Sequence, residues 1–227
     1  MNTAIVLAGG KGKRMKSDIP KQFMELKGEP LLCHSLRVFQ NSPIIDEIVV
    51  VTSPDYISYV KEEIVIKNAF DKVKHITSGG GERYDSVYEG LKCVESPGYV
   101  FIHDGARPCV TDKIISDCYD AVRKFDACVA AVPVKDTIKV SDSEGMAVNT
   151  PDRSRLWQIQ TPQVFDVNLV KECYKKMYSV SDKSDITDDA MVVERYGNKK
   201  IKLVNADYRN IKVTTPEDIE IAASFLK

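Results

Sequence analysis

Apolar residues along this chain fall into short β-branched runs that alternate with stretches of helical period. Thr3 to Leu7 are nearly continuous in apolar character, which predicts a buried strand within TAIVLAG. In PLLCHSLRVFQNS, Leu32, Leu36 and Phe39 recur at helical spacing, and Pro30 suits the first turn. EIVVVTS predicts a second strand, followed by a helix over YISYVKEEIVIKNAF. HITSG, SVYEGLKCV, YVFIHDG, DKIISDCYDAVRKF and DACVAAVPV continue the alternation of strand and helix. Such alternation predicts an α/β fold with a mainly parallel sheet and helices on both faces, and it puts ligand sites at the carboxyl ends of the strands.

One segment breaks the rhythm. Residues 134–150, VKDTIKVSDSEGMAVNT, read as two short strands around a Ser-Asp-Ser-Glu-Gly turn. A lone hairpin is marginal in water, so this one either rests on its own domain or packs as an arm on a second subunit. Ile138, Val140, Met146 and Val148 give it an apolar face to bury. Beyond the arm the chain returns to helices and closes with NIKVTTPEDIEIAASFLK. There Ile211 and Val213 predict a strand, Thr215 an N-cap, Pro216 the first helical position, and Ile219, Ala222, Ala223 and Leu226 an apolar stripe. With no repeat, low-complexity stretch or linker, residues 1–227 form one domain carrying an arm.

Composition narrows the classes. The 32 basic and 33 acidic residues leave a net charge of −1, which gives no reason to expect a nucleic-acid or membrane surface. The apolar runs fall far short of the ~20 residues that span a bilayer, and MNTAIVLAGG lacks the charged start of a signal peptide. The six cysteines, Cys33, Cys93, Cys109, Cys118, Cys128 and Cys173, form no CxxC pair and read as reduced, buried thiols. A soluble, cytoplasmic protein is expected.

The loudest chemical signal follows the first strand: Ala8-Gly9-Gly10-Lys11-Gly12-Lys13-Arg14-Met15, then Pro20-Lys21-Gln22. Glycines let backbone N–H groups close on a phosphate, and basic side chains then take its oxygens. Between residues 9 and 21 five basic residues face one acid, Asp18. Two familiar phosphate loops are excluded. A Walker A loop needs glycine and then serine or threonine where the chain has Leu7 and Arg14, and a dinucleotide fingerprint needs glycine at Met15. A second run, Ser78-Gly79-Gly80-Gly81-Glu82-Arg83 with Asp85 and Ser86, means close approach by a ligand or by a neighbouring chain, or else a mere tight turn. A third, His103-Asp104-Gly105-Ala106-Arg107-Pro108, ends a strand. Asp104 there either holds Mg²⁺ on phosphates or pairs with Arg107.

Together with PVKDTIK, RLWQIQTPQVF, ITDDAMVVE and NIKVTTPEDI, these motifs resemble the 2-C-methyl-D-erythritol 4-phosphate cytidylyltransferase family, in order from residue 3 to about residue 226. The resemblance implies a Rossmann-like nucleotidyltransferase sheet with a protruding β-hairpin arm. It implies transfer of CMP from CTP to methylerythritol phosphate, with release of pyrophosphate, in isoprenoid precursor synthesis. CTP would lie along Ala8, Gly9, Gly10, Lys11, Gly12 and Lys13, with Gly80, Gly81 and Ser86 at the cytosine and Asp104 in the nucleotide pocket. Arg14 and Lys21 would stabilise charge on the α-phosphate, while Arg153 and Lys212 hold the polyol phosphate for attack. Arg107, Thr137, Thr161 and Thr187 match further pocket positions. Mg²⁺ is the implied cofactor, and a homodimer through the arm, with Arg153 completing the other subunit's site, is the implied assembly.

A phosphate monoester is already mostly dianionic at neutral pH, its second pKa being ~6. The reaction therefore needs no general base, in keeping with a chain that has no Ser-His or Cys-His constellation. One departure bears on the acceptor: Gly105 stands where the family more usually has alanine, a glycine reminiscent of the ribitol 5-phosphate relatives. Two other readings stay open. One is the same transfer to ribitol 5-phosphate; the other is a non-catalytic nucleotide sensor, against which the presence of both Arg14 and Lys21 argues.

Overall fold

The computed structural model describes residues 1–10, 19–180, 183 and 185–226. In chain order the strands are β1 (Asn2–Ala8), the short pair β2 (Glu25–Leu26) and β3 (Glu29–Pro30), β4 (Glu47–Thr52), β5 (Val73–Ser78), β6 (Tyr99–Asp104), β7 (Ala127–Pro133), the arm strands β8 (Val140–Ser141) and β9 (Ala147–Asn149), β10 (Trp157–Asp166) and β11 (Lys202–Asn205). The helices are α1 (Leu31–Asn41), α2 (Ile57–Tyr59), α3 (Arg83–Lys92), α4 (Asp112–Phe125), α5 (Val167–Tyr178), α6 (Asp189–Gly197) and α7 (Glu217–Phe225). A π-helical segment over Val60–Ile66 continues α2.

Seven strands make one sheet in the order β11-β7-β10-β6-β1-β4-β5. All neighbours are parallel except β10, which runs antiparallel to both β6 and β7. Successive strand residues face opposite sides, and the core divides accordingly. Ala4, Val6, Ile48 and Val50 pack with Leu32, Leu36 and Phe39 of α1 and with Ile115 and Val122 of α4. Ile5, Val49, Val51 and Ile102 pack on the other face with Val87 of α3, Val170 and Tyr174 of α5, and Val193 of α6. α7 covers a smaller cluster with Leu26, Leu31, Ala106 and Val213. Helix boundaries follow local chemistry. Thr111 caps α4 by accepting from the Ile114 N–H at 3.3 Å, and Asp126 ends that helix in the left-handed conformation, φ 61°.

The α/β architecture, its mainly parallel sheet and its two helical layers agree with the sequence expectation. Three local readings need correction. Beyond the arm the chain does not return directly to helices but supplies β10, a central strand, and later β11 at the edge. Residues 211–213 do not join the sheet; the Val213 N–H instead donates to the Ala106 carbonyl at 2.8 Å. Pro216 precedes α7 rather than opening it, and its turn is held by Asp218, whose Oδ2 accepts from the N–H groups of Thr214 and Thr215 at 2.7 and 2.9 Å.

The arm grows out of a long hairpin. β7 and β10 pair as far as Pro133 and Trp157, the Val134 N–H extends the ladder to the Leu156 carbonyl at 3.0 Å, and residues 135–150 beyond are all exposed. Ile138, Val140, Met146 and Val148 are among the exposed residues, so the single chain does not bury the arm's apolar face. No helix among the described residues is long and apolar enough to cross a membrane.

Gly105 has a packing reason that is independent of substrate. A Cβ there would lie 2.8 Å from Leu32 Cδ1 and 2.9 Å from the Leu7 carbonyl oxygen, the same oxygen that accepts the Gly105 N–H. Gly105→Ala is expected to destabilise the fold by about 1–3 kcal/mol, as overpacking against backbone does. A urea midpoint equal to that of the wild type would show that Leu32 and the loop yield freely.

Candidate active site

Four parallel strands bring their carboxyl ends to one edge. Ala8 of β1 lies opposite Thr52 of β4, Thr52 lies opposite Ser78 of β5, and Leu7 lies opposite Asp104 of β6. The loops leaving this edge carry the three glycine-rich motifs, so segments distant in sequence meet at one place. Polar side chains lock them together. Gln22 donates from its amide to the Ala8 carbonyl, Thr52 Oγ1 donates to the same oxygen at 3.3 Å, and the Gly79 N–H donates to the Thr52 carbonyl at 2.7 Å.

At the centre stands Asp104, almost fully buried. Its Oδ2 lies 2.7 Å from Lys212 Nζ and 3.9 Å from Arg107 Nε, and its Oδ1 accepts from Arg83 Nε at 3.3 Å. Burial pushes this carboxyl up, but the charges of Arg83, Lys212 and Arg107 outweigh it and hold the group well below the usual carboxylate range. Lys21 donates to the Val213 carbonyl at 2.9 Å, which brings the Pro20-Lys21-Gln22 turn against the segment bearing Lys212. Arg107 donates to the Asn210 carbonyl at 2.8 Å. Arg83 also reaches Asp189, whose Oδ2 lies 2.8 Å from its Nη1. Three cationic groups, Arg83, Arg107 and Lys212, therefore gather around two carboxylates, with Lys21 held beside them on the Val213 carbonyl. Arg83 Nη2 and Arg107 Nε are buried with no hydrogen-bond acceptor among the described residues.

A cavity of about 300 Å³ opens beside this cluster, lined by Arg107, Gln158, Gln160, Tyr208, Asn210 and Lys212 among others. Its floor is rigid. The Asn210 amide donates to Gln160 Oε1 at 3.0 Å and to the Thr161 carbonyl at 2.9 Å, and the Gln160 amide donates to the Asp207 carbonyl at 3.0 Å.

Of the residues expected at the nucleotide, Ala8 and Asp104 close β1 and β6, Gly9 and Gly10 follow β1, Gly80 and Gly81 follow β5, and Ser86 lies in the first turn of α3, while Lys11, Gly12, Lys13 and Arg14 lie outside the described residues. The glycine loop before α3 is shaped by its own chain. A Cβ at Gly80 would come 2.3 Å from the Asp85 Cβ, and Ser86 Oγ accepts from the Gly80 N–H at 3.2 Å. Glu82 and Asp85 form a capping box at the start of α3, and Tyr178 donates to Asp85. Gly80 is thus required by the turn itself, whatever the base beside it.

Of the residues expected at the acceptor, Arg107 and Lys212 join Asp104. The Thr161 hydroxyl is committed elsewhere: it accepts from the Asp104 N–H at 3.1 Å and lies 3.0 Å from His103 Nδ1. Thr137 and Arg153 are exposed at the arm and its base, where Arg153 donates to the Lys135 carbonyl at 2.7 Å. Thr187 is also exposed, with its hydroxyl 3.8 Å from Met191 Sδ. Among the described residues, no hydrogen bond or ion pair links these three to the Asp104 cluster. Sequence reasoning quoted Arg83, Gln160, Asp189 and Asn210 within motifs but gave none of them a role.

The donor set does not fit a resident Mg²⁺. Both oxygens of Asp104 are engaged by cations, and among the described residues no group of three His, Cys, Asp or Glu side chains is placed to hold a metal ion. The single-carboxylate site expected from sequence is therefore an ion-pair centre in this structure.

His103 is fully buried beneath Asp104, its Nε2 donating to the Arg107 carbonyl at 3.2 Å while Nδ1 accepts from Thr161. Burial lowers its pKa from 6.5 to about 4. Because the unfolded chain binds the proton first as the pH falls, His103 contributes stability that is intact above pH 6.5 and is lost progressively towards pH 4. By linkage this amounts to roughly 2 kcal/mol between pH 7 and pH 5. His103→Gln should flatten that part of the urea-unfolding pH profile; an unchanged slope would remove His103 as its cause.

The family model for 2-C-methyl-D-erythritol 4-phosphate cytidylyltransferase matches residues 2–227. The enzyme of that name from Lachnospira eligens is 59% identical over the full length of both chains, and that from Clostridium kluyveri is 47% identical over 100% of this chain and 96% of its own. Among solved structures, 4-diphosphocytidyl-2C-methyl-D-erythritol synthase from Anaerococcus prevotii superposes with a TM-score of 0.86 at 33% identity, covering 99% of this chain and 95% of its own. The Francisella tularensis 2-C-methyl-D-erythritol 4-phosphate cytidylyltransferase superposes with a TM-score of 0.83 at 30% identity and covers 99% of each chain.

Proposed function

The chain belongs to the 2-C-methyl-D-erythritol 4-phosphate cytidylyltransferase family, and from that premise we propose how its residues transfer CMP from CTP to methylerythritol phosphate. One observation carries the reading: Lys21, Arg83, Arg107 and Lys212 converge on the strand edge where the glycine loops end. Cations held together at such an edge suit two polyanions that must meet.

The acceptor phosphate, already dianionic, attacks the α-phosphorus of CTP. A new P–O bond forms as the bond to pyrophosphate breaks, with no proton to remove. CTP lies along Ala8, Gly9, Gly10 and the Lys11–Arg14 loop, with its base at the Gly80–Ser86 turn. Lys21, with Arg14, meets charge that develops on the α-phosphate. Lys212 and Arg107 take the acceptor phosphate, and the polar cavity beside them receives the polyol. Mg²⁺ belongs with the triphosphate as part of the substrate, since this ion keeps several waters and needs few protein carboxylates. All six cysteines are free thiols, which supports a reducing, cytoplasmic setting.

Gly105 had favoured ribitol 5-phosphate as acceptor; its contacts with Leu7 and Leu32 now account for it and remove that support. With CTP present, pyrophosphate release should be fast with methylerythritol 4-phosphate and slow with ribitol 5-phosphate at equal concentration. Faster turnover of ribitol 5-phosphate would reverse the assignment, and no release with either would refute it.

The arm is read as a dimer contact that carries Arg153 to the partner subunit's site, because its apolar residues and Arg153 face solvent in one chain. Mixing Arg153→Ala with Lys21→Ala chains tests this. In a crossed dimer one site collects both lesions and the other neither, so activity partly returns on subunit exchange. A mixture as inactive as its components would place each site within one chain.

A further inference from the structure

Asp188 and Asp189 are consecutive acids at the start of α6, where a helix cap needs only one. Asp188 is that cap, accepting from the Met191 N–H at 2.9 Å. Asp189 instead turns into the core. Its Oδ1 accepts from the Tyr174 hydroxyl at 2.6 Å, and its Oδ2 lies 2.8 Å from Arg83 Nη1. The same guanidinium donates through Nε to Asp104 Oδ1 at 3.3 Å, and Asp104 Oδ2 lies 2.7 Å from Lys212 Nζ. Four charges of alternating sign thus run from a side chain with 0% exposure at Asp189 to one with 38% at Lys212.

We propose that Asp189 is a positioning residue for the active site: it anchors Arg83, Arg83 fixes one oxygen of Asp104, and the other oxygen is left to hold the Lys212 ammonium. The inference rests on the reading above in one respect, that Lys212 meets the acceptor phosphate. Its physical basis is independent of that reading. Buried ion pairs pay a desolvation penalty that they seldom return as stability, so fixing α6 to the sheet does not by itself call for one. A guanidinium presents several donors in a rigid fork and can serve two carboxylates at once, which an ammonium does less well. Arg83 Nη2 is buried without an acceptor among the described residues, and the contacts that orient the fork are those to the two carboxylates. Removing the charge of Asp189 would turn the whole of Arg83 towards Asp104, where it competes with Lys212 for the same two oxygens.

Asp189→Asn keeps the size of the side chain and an acceptor for Tyr174. The double variant Arg83→Met with Asp189→Asn removes both charges, so no uncompensated buried ion is left to unfold the protein. In each variant the KM for methylerythritol phosphate should rise about tenfold or more, the scale of one lost hydrogen bond to a charged group, while kcat and the KM for CTP change less. The rate of reductive dimethylation at Lys212, labelled in the folded protein and read by peptide mass spectrometry, should rise in Asp189→Asn, where Arg83 competes for Asp104. The decisive comparison is the double variant at a wild-type thermal midpoint. A raised KM there and a faster Lys212 reaction in Asp189→Asn support the relay, whereas wild-type values for both would reduce Asp189 to a structural anchor. If the wild-type enzyme turned over no polyol phosphate, the functional reading would fall, and the Lys212 rates would still judge the relay.

Discussion

A site that joins two polyanions must hold its own cations side by side before either substrate arrives. Like charges at such distances repel strongly once they leave bulk water, so the protein needs fixed negative charge among them. Asp104 supplies it at the surface of the site and Asp189 supplies it underneath. The arrangement explains why a carboxylate can sit almost fully buried at the strand edge: it is the counterion that keeps Arg83, Arg107 and Lys212 in one place. The same pairing explains why Asp104 is poorly suited to hold a metal ion of its own.

The sheet serves this cluster through register. Because β1, β4, β5 and β6 are parallel, their carboxyl ends fall on one edge, and every loop leaving it starts within reach of the others. The antiparallel β10 adds what a purely parallel sheet would not. Its register shifts between Ile159 and Gln163, and that irregular stretch presents Gln160 to the cavity and Thr161 to Asp104 and His103. Neutral His103 below and the Gln160–Asn210 pair beside it give the charged groups a polar but uncharged bed.

Much of this was legible in the chain, for identifiable reasons. Parallel strands buried on both faces read as continuous apolar runs, so β1, β4, β6 and β7 announce themselves, as do the glycine-rich motifs after β1, β5 and β6. β10 does not. Its sequence WQIQTPQVF mixes glutamine and proline with apolar residues, and its place between β6 and β7 depends on pairing with distant strands rather than on local period. Ile211 and Val213 carry a strand-like alternation, yet their segment is drawn to the site, where the Val213 N–H bonds Ala106 and its carbonyl accepts from Lys21. Arg83 and Asp189 were visible as letters within motifs. Their meeting was not, because only the packing of α3, α5 and α6 on one face brings them together. The exposed Thr137, Arg153 and Thr187 mark the opposite limit, since a motif can name a residue without placing it beside the others.

The hairpin of β7 and β10 bears on how this architecture can vary. Everything between Pro133 and Trp157 is, for the sheet, one long turn, since β7 and β10 pair up to those two residues. Closing a longer or shorter turn changes the entropic cost only slowly, by ~0.6 kcal/mol for each doubling of its length. The segment can therefore lengthen, shorten or be recast in sequence while the strands that carry Asp104 and Thr161 keep their register. The arm and the charged cluster are in this sense held by separable parts of one chain, so the length of the arm can drift without moving Asp104 or Thr161.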